Sequence, residues 1–142
     1  MNTSTVMTRD VVVVLPTVTV GVAARMMQKL RIRHLPVVEE GRLVGIISDR
    51  DLLKHPPDTS CGDAMTAAPV TCLSNASVCN VAQLMLQHKI DSIPIVSYSG
   101  TLTGLVTSTD LIALLVEQDQ AQLLPFDFRV RTAASDSDAL FD

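Results

Sequence analysis

Two apolar patterns alternate along this chain. Val20, Ala23, Ala24 and Met27 fall at i, i+3, i+4 and i+7, the stripe of a helix with one buried face. Val78, Val81, Ala82 and Met85 repeat the stripe. Thr19 and Ser77 stand immediately before the two stripes, where a hydroxyl oxygen can accept from a free helix N–H. Arg25, Gln28 and Lys29 fall on the wet face of the first helix. Residues 11–15 are a β-branched run and predict a short buried strand. Pro36 holds the residue before it extended, and Val37-Val38, Glu39-Glu40-Gly41 and residues 43–47 read as strand, turn and strand. Ile95-Val96, Ser99-Gly100 and residues 102–106 read the same way. Asp51 and Asp110 each open a last helix; Pro56-Pro57 cuts off the first, and the second runs toward Gln118.

These elements form a repeat. A shift of 58 superposes Met7-Thr8, Val12, Leu15, Val20, Ala24, Met27, Ile32, Pro36 and Val38 on identical residues. After one added residue near Ser99 the shift becomes 59 and superposes Gly41, Leu43, Gly45, Asp51 and Leu52 on Gly100, Leu102, Gly104, Asp110 and Leu111. An insertion costs least in such a turn. The predicted organisation is a first repeat over residues 5–55, a short polar linker over 56–63, a second repeat over 64–118 and a tail over 119–142. One unit has too few layers to bury its own sheet. The expected fold is therefore α+β: two β-α-β-β-α repeats related by a pseudo-twofold and packed sheet to sheet.

Composition narrows the function. The chain has 142 residues, 47% hydrophobic, with net charge −4. That length suits one domain or two halves sharing one core. Mild acidity and 3% aromatics, with no Trp, argue against nucleic-acid binding. The apolar run at residues 11–15 is too short to cross a bilayer, and the first residues do not form a secretory signal. Cys61, Cys72 and Cys79 lack metal-knuckle spacing, and His34, His55 and His88 are scattered. Free thiols in a reducing cytoplasm are the expectation, and a metal or redox sensor ranks low. No nucleophile elbow, phosphate loop or HExxH is present, so an enzyme is not expected.

The chemistry-bearing segments end the repeats: Gly45-Ile46-Ile47-Ser48-Asp49-Arg50-Asp51 and Gly104-Leu105-Val106-Thr107-Ser108-Thr109-Asp110. Each is Gly, two apolar residues, a hydroxyl, two polar residues and Asp. At such a strand-to-helix junction free N–H groups attract an anion, the hydroxyl adds a donor, and the carboxylate can accept from ribose hydroxyls. Plain helix capping by Ser48 and Thr107 accounts for the same residues equally well.

The runs His34-Leu35-Pro36-Val37-Val38 through Leu52, and Ile93-Pro94-Ile95-Val96 through Leu111, resemble CBS domains, the cystathionine β-synthase type. Val6-Met7-Thr8 and Ala64-Met65-Thr66 resemble their usual opening. The resemblance covers roughly residues 5–118 and implies a tandem pair, a Bateman module. It implies a regulatory unit that needs no cofactor and binds AMP, ADP or ATP, or else NAD or S-adenosylmethionine, in two clefts between the repeats. The motif Asp would hold ribose and the hydroxyl would sit near phosphate. Basic residues before the other repeat's Pro would meet phosphate, and adenine would rest on a first strand. It also implies a homodimer and a regulated partner protein.

Carried onto this chain, one cleft pairs Asp110 and Thr107 with Arg33 and His34. The other pairs Asp51 and Ser48 with Asp91 and Ser92, where an acid would repel phosphate unless Arg50 compensates. Val12, Val13, Val70 and Thr71 could line adenine. Residues 1–55 carry a net +3 and the remainder −7, which favours the Asp110 cleft for a charged nucleotide. Phe126, Phe128 and Phe141 suggest a docking tail or a frayed end. The rival function is a ligand-free structural module whose work is dimerisation.

Overall fold

The computed structural model describes residues 1–118. A 3-10 turn, Thr3–Thr5, leads into α1 (Val20–Leu30), β1 (His34–Glu39), β2 (Arg42–Ser48) and the one-turn α2 (Asp49–Leu52). The second half adds two short strands ahead of its long helix: α3 (Cys61–Ala64), β3 (Thr66–Ala67), β4 (Cys72–Leu73), α4 (Val78–His88), β5 (Ser92–Val96), β6 (Leu102–Thr107) and α5 (Ser108–Gln118). The class is α+β, with two small sheets in the orders β1-β2-β3 and β4-β5-β6.

Local chemistry sets the element ends. Thr19 caps α1 by accepting from the Val22 N–H at 3.3 Å, and Ser77 caps α4 by accepting from Asn80 at 3.0 Å. The stripes turn inward: Val20, Ala23 and Met27 are buried on α1, Val81 and Met85 on α4. Glu40 and Gly41 both take positive φ between the paired Glu39 and Arg42, the two-residue turn that matches strand twist. The buried residues form two clusters, one under each sheet, rather than one shared core. Leu35, Val37 and Ile47 centre the first; Ile93, Ile95 and Val106 centre the second. Burying each such side chain contributes about 1.5–3 kcal/mol.

The two repeats are crossed at their leading segments. Thr8 of the first repeat exchanges backbone bonds with Leu105 of the second, at 2.8 and 3.0 Å. Its counterpart β3, in the second repeat, pairs with Gly45 and Ile46 of β2. Thr3 and Ser4 donate to Ala76 and Ser74 carbonyls, while Cys61 and Gly62 donate to those of Val18 and Pro16. Met7 thus belongs to the second core, and Cys61 and Ala64 to the first. The hairpin ends meet through an Arg42–Thr101 bridge.

Two expectations change. Residues 11–15 do not form a strand: Val14 alone pairs, with Val37, while Val12, Val13 and Leu15 are exposed. The expected linker over 56–63 contains the start of α3, whose Cys61 is fully buried. The second outcome follows from the crossing, which packs α3 against the first core. The expected docking residues Phe126, Phe128 and Phe141 lie outside the described residues.

Glycine at positions 45 and 104 is what lets the leaders close. A Cβ at Gly45 would fall against the Met65 side chain and 2.9 Å from the Thr66 carbonyl oxygen; one at Gly104 would meet Met7 and lie 3.0 Å from the Thr8 oxygen. Gly45→Ala and Gly104→Ala should each cost about 1–3 kcal/mol in urea denaturation. An unchanged midpoint would show that the leaders are not pressed on these strands. Burial raises the Cys61 thiol above its ordinary pKa, whereas Cys79 is exposed. Native protein treated with iodoacetamide should be alkylated at Cys79 and spared at Cys61 until unfolded, as peptide mass spectrometry would show.

Candidate functional site

Each strand-to-helix junction is locked by its own side chains. Ser48 Oγ accepts from the Asp51 N–H at 3.3 Å, and Asp51 Oδ2 accepts from the Ser48 N–H at 2.8 Å, a reciprocal capping box. Thr107 and Asp110 make the same two bonds, at 3.3 and 2.8 Å. The Asp49 and Ser108 N–H groups are also spent, on the Arg33 and Asp91 carbonyls. Capping therefore consumes most of the donors that the sequence offered to an anion. Among the described residues, no protein hydrogen bond reaches Oδ1 of either Asp. Capping thus uses one oxygen of each carboxylate, leaves the other without a protein partner and fixes the orientation of both.

The hydroxyls differ. Ser48 Oγ lies 3.1 Å from Asp51 Oδ2 and donates to it, so its proton is taken. Thr107 Oγ1 accepts from the Asp110 N–H and keeps its proton for another acceptor.

Two cavities lie at the junctions. The first, of about 730 Å³, is lined by Ser48, Asp49, Arg50 and Asp51 from the first repeat and by Thr66, Lys89, Asp91 and Ser92 from the second. Its apolar wall is Ile46, Pro69, Val70, Met85, Leu86 and Ile90. The second, of about 340 Å³, is lined by Thr8, Asp10, Val11, Val12, Arg31 and Ile32 on one side and by Leu105, Thr107 and Thr109 on the other. Both fall in the size range of small-molecule sites, about 300–1,000 Å³. Arg33 and His34 line both cavities.

Arg33 and Asp91 occupy the same position in the two repeats, and they meet. Arg33 Nη2 lies 3.4 Å from Asp91 Oδ2, and His34 Nε2 lies 2.8 Å from Asp91 Oδ1. The Arg33 and Asp91 side chains are 60% and 45% exposed, which makes that pair worth roughly 0–1 kcal/mol. Its effect is to neutralise the acid that the sequence set against phosphate in the Asp51 cleft. Lys89 is not the partner of Asp91 and faces the cavity instead.

Of the expected residues, Ser48, Arg50, Asp51 and Val70 come together in the large cavity, with Arg33 and His34 at its edge. Thr107 lines the small one, but Asp110 stands behind it, and Thr71 lines neither. Charge counting favoured the Asp110 cleft; in the structure both carboxylates are half-buried, and Asp51 rather than Asp110 lines a cavity, the larger of the two. Sequence reasoning passed over Lys89 and Arg31 as cavity residues, although the shift of 58 pairs them as cations at one repeat position. Among the described residues, no group of three or more His, Cys, Asp or Glu is placed to hold a metal, and no helix is long and apolar enough to cross a membrane.

Known proteins share this arrangement. The inosine-5′-monophosphate dehydrogenase of Thermoplasma acidophilum is 33% identical over 108 residues, covering 76% of this chain; the chain spans 22% of that enzyme's length. The CBS domain pair of protein MJ0100, solved with 5′-methylthioadenosine and S-adenosyl-L-methionine, superposes with TM-score 0.78 at 27% identity, over 83% of this chain and 98% of that one. CBSX2, solved with AMP, superposes with TM-score 0.77 at 25% identity, over 83% and 98%. The profile of the CBS domain matches twice, at residues 4–58 and 61–117. With both repeats matched and the crossed pair of sheets in place, the chain belongs to the CBS domain family and carries two such domains in tandem.

Proposed function

We propose that this protein senses an adenosyl ligand in the cleft built on Ser48 and Asp51 and passes the result to a partner protein. The observation that carries the reading is the capped carboxylate of Asp51. One oxygen is fixed by Ser48, and the other is left unbonded by protein on the wall of a 730 Å³ cavity whose far side is the second repeat. A ribose diol can donate to such an oxygen. Val70, Pro69 and Ile46 offer an aliphatic wall to adenine, and Lys89, Arg50 and Arg33 offer charge to phosphate. The adenosyl ligands of MJ0100 and CBSX2 support the same class. The Thr107 cleft, half as large, takes a smaller or less complete ligand.

Contacts from both repeats would favour one arrangement between them, and a partner would read that arrangement. A tenfold preference of the ligand for one arrangement shifts the balance by about 1.4 kcal/mol. The resemblance to the dehydrogenase covers 22% of its length, so no catalytic step is assigned.

A second reading, self-association as the main work, draws on one surface. Ile112, Leu115 and Val116 on α5 are 60%, 61% and 56% exposed. A homodimer through this face would fall apart in Leu115→Glu, measured by sedimentation velocity. Wild type that sediments as a monomer would remove this reading.

The ligand reading is tested by melting the protein with AMP, ADP, ATP, NAD and S-adenosylmethionine. A ligand at a hundred times its dissociation constant should add about 2.7 kcal/mol of stability. No shift with any of them would end the proposal. Asp51→Asn keeps an acceptor for the Ser48 N–H, turns the free oxygen into an NH2 donor and removes the charge. It should melt near wild type and bind the ligand about 10–100-fold more weakly, the worth of one charged hydrogen bond.

A further inference from the structure

We infer that Asp91 is a specificity-determining residue: its carboxylate engages two basic side chains on the wall of both clefts and so restricts the protein to adenosyl ligands with little or no net negative charge. This rests on the adenosyl reading and deepens it by naming the class of ligand within it. Asp91 and Arg33 are equivalent residues of the two repeats, and their backbones do the same work. The Arg33 carbonyl accepts from the Asp49 N–H at 2.9 Å, and the Asp91 carbonyl accepts from the Ser108 N–H at 2.8 Å. That work needs neither side chain. The side chains are opposite in charge and engage each other between the repeats.

Each of these bonds spends a donor. Arg33 Nη2 donates to Asp91 Oδ2 at 3.4 Å, and His34 Nε2 lies 2.8 Å from Asp91 Oδ1. A carboxylate only accepts, so a proton of His34 sits on Nε2 and points at Asp91. In the neutral ring the other nitrogen is then an acceptor, which turns phosphate oxygens away. The His34 side chain is 11% exposed and has little room to turn.

The exposed Arg33–Asp91 pair adds little to stability, so its consequence lies in the cavities. Arg33 and His34 line both, and one carboxylate therefore acts on both. In the large cavity Arg33, Arg50 and Lys89 are matched by Asp49, Asp51 and Asp91. Such a balanced wall accepts a neutral or zwitterionic ligand, whereas each phosphate brings a charge that no surplus cation meets. A base at position 91, as at position 33, would leave a positive surplus.

Titration calorimetry of the whole chain with adenosine and ADP reads the charge preference. Wild type should bind ADP no more tightly than adenosine. Asp91→Asn and Asp91→Ala should each bind ADP about tenfold more tightly than wild type, which is about 1.4 kcal/mol. Adenosine should change less than twofold, and Asp91→Glu, which keeps the charge, should show no gain for ADP. Wild type that prefers ADP to adenosine by tenfold would overturn this inference without any variant. So would ADP binding unchanged in the Asn and Ala variants, and the adenosyl reading would then stand. Equal gains for adenosine and ADP, or a gain in Asp91→Glu, would overturn it by showing a role in shape rather than charge. Wild type that binds neither adenosine nor ADP would overturn the adenosyl reading itself.

Discussion

The structure depends on a methionine lying across a glycine, twice. Met65 covers Gly45 and Met7 covers Gly104, and in each case the methionine comes from the other repeat. Glycine allows the approach because no Cβ stands in the way, and the backbone bonds that follow extend each sheet by a leader it does not own. Removing either contact exposes a sheet edge and opens a core at once. The unbranched methionine suits this place, since its flexible chain conforms to the strand beneath it.

The crossing also makes the clefts. Thr66 and Val70 reach the Asp51 cavity because their leader has been carried over to the first repeat, and Thr8 and Val12 reach the Thr107 cavity by the mirror route. Each site is therefore built from both repeats, and anything bound there touches both. At the axis between them, equal positions carry opposite charges. Arg33 and Asp91 attract where two arginines would repel, and His34 joins the same carboxylate. The pair joins the halves loosely and leaves its cations at the edge of both cavities.

Much of this was legible in the sequence. The shift of 58 with its one-residue correction located both repeats, and Thr19 and Ser77 cap the helices that the apolar stripes predicted. The crossing was not legible, because a period gives the units and not the surface each leader packs on. That omission explains why residues 11–15 read as a strand: β-branched residues suited one, but the sheet offers a partner only at Val14. The sequence offered capping and ligand binding as competing readings of Asp51; the structure shows the cap, which occupies one carboxylate oxygen and leaves the other without a protein partner among the described residues. The left-handed ends of α1 and α4, at Arg31 (φ 56°) and Lys89 (φ 55°), were hidden, since neither is the glycine that usually marks such a turn.

A polypeptide bearing one repeat alone would have a bare glycine on its last strand and a leader with nowhere to lie. It would complete itself by trading leaders with a twin, and dilution would undo the trade. Joining the two in one chain makes the exchange intramolecular, at an effective concentration on the order of millimolar. Closure then no longer depends on how much of the protein is present.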